Sequence, residues 1–299
     1  MLEWSIPQLT DGDWVREIVA QSGNIGSDVS FANIFLLRHK YDTQICSYRD
    51  FLIRHYNGVN GRNGYTFPLG RGNLEKALEE IHADSEKRRE QLLFCLITEE
   101  QKNFLEEMYS GKFTFQSTQG DSDYIYSQTE LASLSGRAFH KKKNHVSKFL
   151  RTYPDYRFEQ LGAGNWEDAS LVEDIWYYEH MQEEDVSQLK EYGAIKEALE
   201  YFEQLELSGG ILYVNDTPAA MTIASRINSQ TWDIHFEKAI GESALNGAYA
   251  AINKMFAETL SGSRWINREE DIGIEGVRKA KMSYHPKILL KKYNAKWIG

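Results

Sequence analysis

Residues 211–239, ILYVNDTPAAMTIASRINSQTWDIHFEKA, carry the clearest fold signal in the chain. Two apolar runs, 211–214 and 219–227, flank the dipeptide Asn215-Asp216, which favours a tight hairpin turn. A third run rich in apolar residues follows at 231–239. These residues predict an antiparallel meander of three strands.

Helical patterns lie on both sides of this meander. Apolar residues recur with helical spacing before it, at 166–180 and 191–205, and after it, at 243–260 and 275–284. A short strand is predicted between the last two helices, at 264–267. The order helix, helix, hairpin, strand, helix, strand, helix is typical of an acyltransferase domain of the GNAT type.

The first half of the chain mixes the same two kinds of element. Strands are predicted at 65–69 and 91–97, and helices at 73–83 and 101–108. At 299 residues the chain exceeds the usual size of one domain. The sequence therefore predicts a mixed α/β protein with room for a second domain in its first half.

The composition excludes several classes of protein. The formal net charge of -10 argues against nucleic-acid binding through overall charge, although a local basic site stays open. Two cysteines are too few for a disulfide-stapled secreted module. No apolar run approaches the roughly 18 residues of a membrane span, and the N-terminal residues do not resemble a signal peptide. A cytoplasmic protein is predicted.

The densest basic segment is GRAFHKKKNHVSKFLR, residues 136–151. A helix here would place four apolar residues on one face and four basic residues opposite: Phe139, Val146, Phe149 and Leu150 against Arg137, Lys141, Lys148 and Arg151. The same spacing puts Lys143 in the middle of the apolar stripe and Lys142 at its edge. Two interpretations stay open: a helix that binds phosphate beside a cleft, or a solvated surface helix whose inward lysine pairs with a core acid.

A second candidate is the turn that follows the predicted strand 264–267. It brings Arg268, Glu269 and Asp271 together before a helix that ends near Tyr284. A carboxylate here can accept a proton from an attacking amine, and a tyrosine can return one to a leaving group. The alternative is a charged surface loop with a helix cap.

Further motifs are weaker. The turn from Lys238 to Ser243 opens a helix whose backbone N–H groups can hold phosphate, but Glu242 is a poor neighbour for an anion and an ordinary turn is favoured. The histidines lack the HExxH spacing, so no metal site is predicted. His235 alternates with apolar residues along a strand and is interpreted as structural.

Two long motifs resemble the phosphatidylglycerol lysyltransferase C-terminal-like family of bacterial proteins: GRAFHKKKNHVSKFLRTYP at 136–154 and WINREEDIGIEGVRKAKMSYHP at 265–286. Shorter stretches resemble it too, namely Tyr124-Ile125-Tyr126, 131–134, 28–33 and 236–239, with Gly247, Tyr249 and Asn253. The resemblance implies an α/β fold of tandem GNAT-like domains packed around a cleft. We expect these domains to occupy residues 1–155 and 156–299.

The same superfamily includes membrane-bound enzymes that move lysine from its tRNA to a lipid headgroup, and Fem-type peptidyl transferases. This chain shows no multi-span membrane segment like that of the lipid-modifying enzymes, so the resemblance leaves the acceptor open. Peripheral contact with a membrane stays compatible with the sequence.

Together the motifs and the resemblance predict an acyltransferase. The donor would be aminoacyl-tRNA or acyl-CoA, both of which carry phosphates, and the acceptor an amine or hydroxyl, with no tightly bound cofactor. Donor-binding candidates are Arg137, Lys142, Lys143, Lys238 and Arg268, and catalytic candidates are Glu269, Asp271 and Tyr284. Two other classes stay open: a non-catalytic GNAT-fold protein that binds a CoA-like or nucleotide ligand, and a tRNA-associated protein.

Overall fold

The computed structural model describes residues 2–181 and 186–299. Its helices are α1 (Gly12–Ser22), α2 (Phe31–Leu36), α3 (Arg38–Tyr41), α4 (Leu74–Arg88), α5 (Glu99–Met108), α6 (Gln128–Ser133), α7 (His140–Thr152), α8 (Trp166–His180), α9 (Val186–Glu200), α10 (Gly241–Leu245), α11 (Ala248–Thr259) and α12 (Glu275–Met282). Its strands are β1 (Thr43–Tyr48), β2 (Phe51–Asn57), β3 (Asn63–Tyr65), β4 (Leu69–Gly70), β5 (Leu93–Ile97), β6 (Phe113–Gln116), β7 (Asp123–Ser127), β8 (Tyr156–Gln160), β9 (Ser208–Val214), β10 (Thr217–Asn228), β11 (Thr231–Ala239), β12 (Trp265–Asn267), β13 (Ile288–Leu290) and β14 (Tyr293–Trp297).

The first sheet has the order β1-β2-β3-β5-β14-β6, with β4 paired to β2. It is mixed, because β3 and β5 run parallel while the other pairs are antiparallel. Helix α4 covers one face and buries Ala77, Leu78 and Ile81 against the sheet residues Ile53 and Phe94. The helix begins at Asn73, whose side chain accepts a hydrogen bond from the backbone N–H of Lys76.

The second sheet has the order β13-β7-β12-β11-β10-β9-β8. The predicted meander is present as β9, β10 and β11, which pair antiparallel, and β12 then joins β11 in parallel. Helix α11 packs on one face through buried Ile252 and Phe256. The two halves share a core on the other face, where Val15 and Phe31 pack in one cluster with Ile195 and Met221.

Strand membership does not follow the predicted boundary at residue 155. Strand β7 lies in the second sheet, and the C-terminal strand β14 lies in the first. The alternation of apolar residues predicts a strand but not its partner, and each of these strands pairs with residues distant in the chain. A boundary at residue 155 therefore does not separate the strands of the two sheets. The division into two domains at that residue stays a prediction.

A buried lysine fixes the two sheets together. Lys292, two per cent exposed, lies just before β14, and its Nζ is 2.6 Å from Asp123 Oδ1 in β7 and 2.9 Å from Asp28 Oδ1. Asp28 also pairs with Arg54 of β2 at 2.7 Å. Burial opposes the charged forms, but these contacts outweigh it, so the pKa of Asp28 is lowered and that of Lys292 is raised.

Some predicted elements differ in detail. The helix predicted at 243–260 is divided into α10 and α11, because Gly247 adopts a left-handed φ of 103° between them. A Cβ at this glycine would lie 2.4 Å from the backbone oxygen of His145, so the close approach of α7 requires glycine. The strand predicted at 65–69 is interrupted between β3 and β4. Across the described residues, no helix combines the length and apolar character that a membrane crossing requires.

Candidate active site

The candidate site forms where β11 and β12 separate. The two strands pair in parallel at three positions, ending at Asp233 and Asn267. Beyond these residues β11 continues to Ala239, whereas the segment that follows β12 turns away through Arg268 and Glu269. Side chains from β11 and from the turn therefore face each other across the opening.

Asp233 and His235 lie two residues apart on β11, so strand alternation places both side chains on one face, and a β-bulge at His235 interrupts the pairing with β10. On β10, Ile223 is opposite Phe236 and Ala224 is opposite Ile234, which leaves His235 without a partner in the register. An extra residue of this kind bends a strand and re-aims its side chains. The His235 Nδ1 atom lies 3.4 Å from Asp233 Oδ2.

Glu269 completes a group that we call the carboxylate–histidine cluster: Asp233, His235 and Glu269. Glu269 Oε1 is 3.3 Å from His235 Nδ1 and accepts a hydrogen bond from Asn33 Nδ2 at 3.1 Å. His235 Nε2 is 2.8 Å from Ser225 Oγ. The Glu269 side chain is 21% exposed and His235 is almost buried, so a ligand can reach the cluster from the Glu269 side.

Asp233 has an unusual environment. It is fully buried, and its Oδ1 has no hydrogen-bond partner among the residues that the structure describes, while Oδ2 accepts a hydrogen bond from Ser30 Oγ at 3.2 Å. Burial first, and then the charge of Glu269, raise the pKa of Asp233 well above its ordinary value.

The turn that carries Glu269 is held by a chain of hydrogen bonds. Glu269 has a left-handed φ of 56°, and its backbone N–H donates to Asn267 Oδ1 at 2.7 Å. Asn267 Nδ2 in turn donates to Asp123 Oδ2 at 2.9 Å, and Asp123 is the partner of Lys292. The buried lysine that joins the sheets therefore also positions the turn.

A cationic group lies beside the cluster. Arg268 Nη2 pairs with Glu237 Oε1 at 2.8 Å, while Nη1 is buried and has no hydrogen-bond partner in the described part of the chain. The guanidinium lies 4.9 Å from the ring centroid of Tyr284, and Lys142 Nζ lies 4.0 Å from the same centroid. Burial lowers the pKa of Lys142 to about 8, and the nearby Arg268 charge contributes. The basic helix and the acidic turn thus meet, as the sequence predicted.

The lysine that faces this group is Lys142 and not Lys143, which is exposed. The predicted phase was wrong because Phe139 belongs to a 3₁₀ turn before α7 and does not share its phase. Within α7 the buried residues are Val146 and Phe149, four and seven positions after Lys142. Lys141 and Lys148 are exposed, as expected.

The other predicted site residues have different surroundings. Asp271 is fully buried and accepts hydrogen bonds from Tyr124 at 2.6 Å and Arg278 at 2.7 Å. Burial opposes ionisation, but these bonds lower the pKa of Asp271. Lys238 points away from the opening, pairing with Glu191 at 2.7 Å and lying 3.2 Å from the ring centroid of Trp176.

Arg137 is exposed on the surface beside α7. Tyr284 is five per cent exposed, and burial raises its pKa to about 12, although the Arg268 charge opposes this shift. Tyr284 is therefore protonated at neutral pH.

A cavity of about 310 Å³ opens beside the same turn. Its lining includes Tyr41, Arg62, Glu270 and Ile272. Arg62 Nη2 pairs with Glu270 Oε1 at 2.8 Å, and the guanidinium lies 3.8 Å from the ring centroid of Tyr41. The cavity is within the range of about 300–1,000 Å³ that small-molecule sites occupy.

Sequence reasoning missed Asp233 and interpreted His235 as structural. Strand alternation places the two side chains on one face, but it does not show whether that face is a packed core or a site. The spacing Asp-x-His was the available signal, but its third member, Glu269, lies on another strand end and only the fold brings it near.

Residues 19–296 match the family described as phosphatidylglycerol lysyltransferase, C-terminal, and the chain belongs to this family. The resemblance stated from the two long motifs is therefore confirmed.

Two solved structures are similar to it. The crystal structure of a conserved protein of unknown function from Bacteroides thetaiotaomicron VPI-5482 is 34% identical, with a TM-score of 0.94 and coverage of 100% of both chains. The structure of L-PGS from Bacillus licheniformis is 13% identical, with a TM-score of 0.67, and the match covers 98% of this chain and 94% of that one. The second likeness is one of fold, and with the two mixed sheets it confirms the predicted mixed α/β fold class.

A curated relative is more distant. An uncharacterised protein of Mycoplasmoides gallisepticum is 22% identical over 184 residues, which cover 60% of this chain and 58% of that protein. The match thus spans little more than half the length of that relative.

Proposed function

We propose that this protein is a transferase that moves an acyl or aminoacyl group from a phosphate-bearing donor to an amine or hydroxyl acceptor. The observation that carries the proposal is that two cationic side chains, Lys142 and Arg268, lie against one tyrosine ring, and that a partly exposed carboxylate follows Arg268 in the chain. Arg268 Nη1 has no hydrogen-bond partner among the described residues, Lys142 Nζ lies over Tyr284, and Glu269 follows Arg268 in the same turn. Membership of a lysyltransferase family supports the same class of reaction.

The cationic side would hold the donor. Within the described residues, Lys142 makes no ion pair, and its half-buried position strengthens attraction to an anion because water screens it less. Lys142 and Arg268 would therefore hold a donor phosphate or the oxyanion that forms at the carbonyl.

The carboxylate would act on the acceptor. The acceptor amine or hydroxyl attacks the donor carbonyl carbon, its proton passes to Glu269 Oε2, and the bond from the carbonyl to the leaving oxygen or sulfur breaks. Glu269 is preferred to Asp271 for this role, because the carboxylate of Asp271 is buried among Tyr124 and Arg278. The protonated Tyr284 beside Lys142 would return a proton to the leaving group.

Aminoacyl-tRNA suits the surface around the site better than acyl-CoA does. Arg137, Lys141 and Lys143 are exposed beside Lys142, at the start of one helix. Such a row can contact successive phosphates of an extended polyanion, whereas CoA offers fewer of them.

The test measures donor binding and transfer separately. Filter binding would give the affinity for aminoacyl-tRNA and for acyl-CoA, and loss of radiolabelled acyl group from the donor would report transfer to a panel of amines, hydroxyls and phosphatidylglycerol vesicles. Specific binding with acceptor-dependent transfer supports the proposal. Binding without transfer to any acceptor would favour a ligand-binding or tRNA-associated protein. The absence of binding to either donor would overturn these two interpretations and the transferase proposal.

A further inference from the structure

We propose that Asp233, His235 and Glu269 bind one divalent transition-metal ion, with Zn²⁺ the best match to their chemistry. Each offers one ligand atom, and these three atoms lie within 4.8 Å of one another. One imidazole nitrogen and two carboxylate oxygens form a donor set that zinc accepts, with further positions left for water or substrate.

The distances suit a shared ion better than hydrogen bonds. His235 Nδ1 lies 3.3 Å from Glu269 Oε1 and 3.4 Å from Asp233 Oδ2. Both distances exceed the usual N–H···O range of about 2.7–3.2 Å, and a single Nδ1–H cannot donate fully to two oxygens. Bonds of about 2.1 Å to a tetrahedral ion place neighbouring ligand atoms about 3.4 Å apart.

Asp233 supplies an independent observation. Its side chain is fully buried, and within residues 2–181 and 186–299 no group forms a hydrogen bond with its Oδ1. A fully buried carboxylate needs a proton or a nearby cation. The cationic Lys292 already forms ion pairs with Asp123 and Asp28. A cation bound at the cluster would compensate the negative charge of the Asp233 carboxylate.

The surrounding hydrogen bonds match those of a metal site. Ser225 Oγ lies 2.8 Å from His235 Nε2 and can hold the proton on that nitrogen, which leaves Nδ1 free to bind metal. Ser30 donates to Asp233, and Asn33 donates to Glu269. Metal ligation through Oε1 leaves Oε2 of Glu269 available, so the metal site does not exclude the proposed proton transfer.

The experiment measures zinc binding without any transfer assay. The purified full chain would be stripped with chelator, dialysed against Zn²⁺ and analysed for metal content, with the affinity taken from titration calorimetry. We expect one zinc per chain, with at least about tenfold weaker binding in His235→Ala and Glu269→Gln, and about tenfold weaker binding in Ser225→Ala. His140→Ala removes an exposed histidine elsewhere and is expected to bind zinc as the unaltered chain does.

Thermal unfolding of each stripped variant shows whether it still folds. Glu269→Gln is the variant least expected to impair folding, because the Glu269 side chain is the most accessible to solvent of the three. No zinc above background in the unaltered chain, or an unchanged affinity in folded His235→Ala and Glu269→Gln, would overturn the proposal. Because zinc content is read directly, this failure is distinguishable from an absence of transfer activity.

Discussion

Lys142 lies over the ring of Tyr284, with its Nζ 4.0 Å from the ring centroid. The contact joins the basic helix α7 to the end of the segment that carries Arg268 and Glu269. Arg268 lies against the same ring, and its charge acts on Lys142, so two cations lie close together in a half-buried setting. An anion between them would relieve their mutual repulsion, which is why we assign donor binding to this place.

Lys142→Ala is expected to weaken donor binding about tenfold, the loss of one partly buried charge contact to phosphate. Lys148→Ala, exposed on the same helix and outside the row of Arg137, Lys141 and Lys143, is expected to change the affinity for either donor less than twofold. Filter binding or calorimetry with each donor would measure both. Equal effects of the two substitutions would show that position on the helix does not matter and that binding is non-specific.

Donor affinity should also fall as the pH rises through about 8. The pKa of Lys142 is lowered to about 8, so the ammonium is present below that pH and is lost above it. The loss of affinity at pH 9.5 should approach, and not exceed, that of Lys142→Ala. Lys142→Arg keeps its charge throughout this range, and a pH profile as steep as that of the unaltered chain would contradict the assignment.

Much of the fold is visible in the sequence because its elements are locally encoded. The meander of β9, β10 and β11 follows from apolar runs and the Asn215-Asp216 turn, and α8 has the predicted bounds. The partners of β7 and β14 are not locally encoded, since each strand pairs with residues far away in the chain. For this reason the exchange of strands between the halves was not predicted.

Only part of the candidate site could be predicted from the sequence, for a similar reason. Lys142, Arg268, Glu269 and Tyr284 were singled out because charged residues concentrate in two motifs. Asp233 was missed and His235 was interpreted as structural, because the two residues form a cluster only with Glu269, which lies on another strand end. Predicting that Lys142 rather than Lys143 faces the site required the true start of α7, which lies after Phe139.

Lys292→Met should destabilise the protein by about 3–5 kcal/mol. It would leave the buried carboxylates of Asp28 and Asp123 without the cation between them. Lys291→Met alters the exposed neighbouring lysine and should cost less than about 0.5 kcal/mol. Urea unfolding of both variants would measure the two free energies, and similar values would show that the lysine network contributes little.

Glu173→Gln should stabilise the protein at alkaline pH. Burial raises the pKa of Glu173 from its ordinary value of 4.5 to about 7, so the folded state holds its proton more tightly than the unfolded state. That stabilisation is complete below about pH 4.5 and is lost as the pH rises through about 7. The variant should therefore match the unaltered chain near pH 5 and exceed it by about 2 kcal/mol at pH 8.5. Glu167→Gln, exposed on the same helix, is the control, and an equal gain from both would contradict the prediction.

The most direct measurement is single-turnover transfer with Glu269→Gln, with donor affinity measured in the same preparation. The account predicts that transfer slows by about 10²–10³-fold while the donor dissociation constant stays within about twofold, because the amide keeps the shape but cannot accept the proton. Transfer at the unaltered rate would contradict the assignment of Glu269 as the proton acceptor. Absence of transfer in the unaltered chain with every donor and acceptor would contradict the central claim itself.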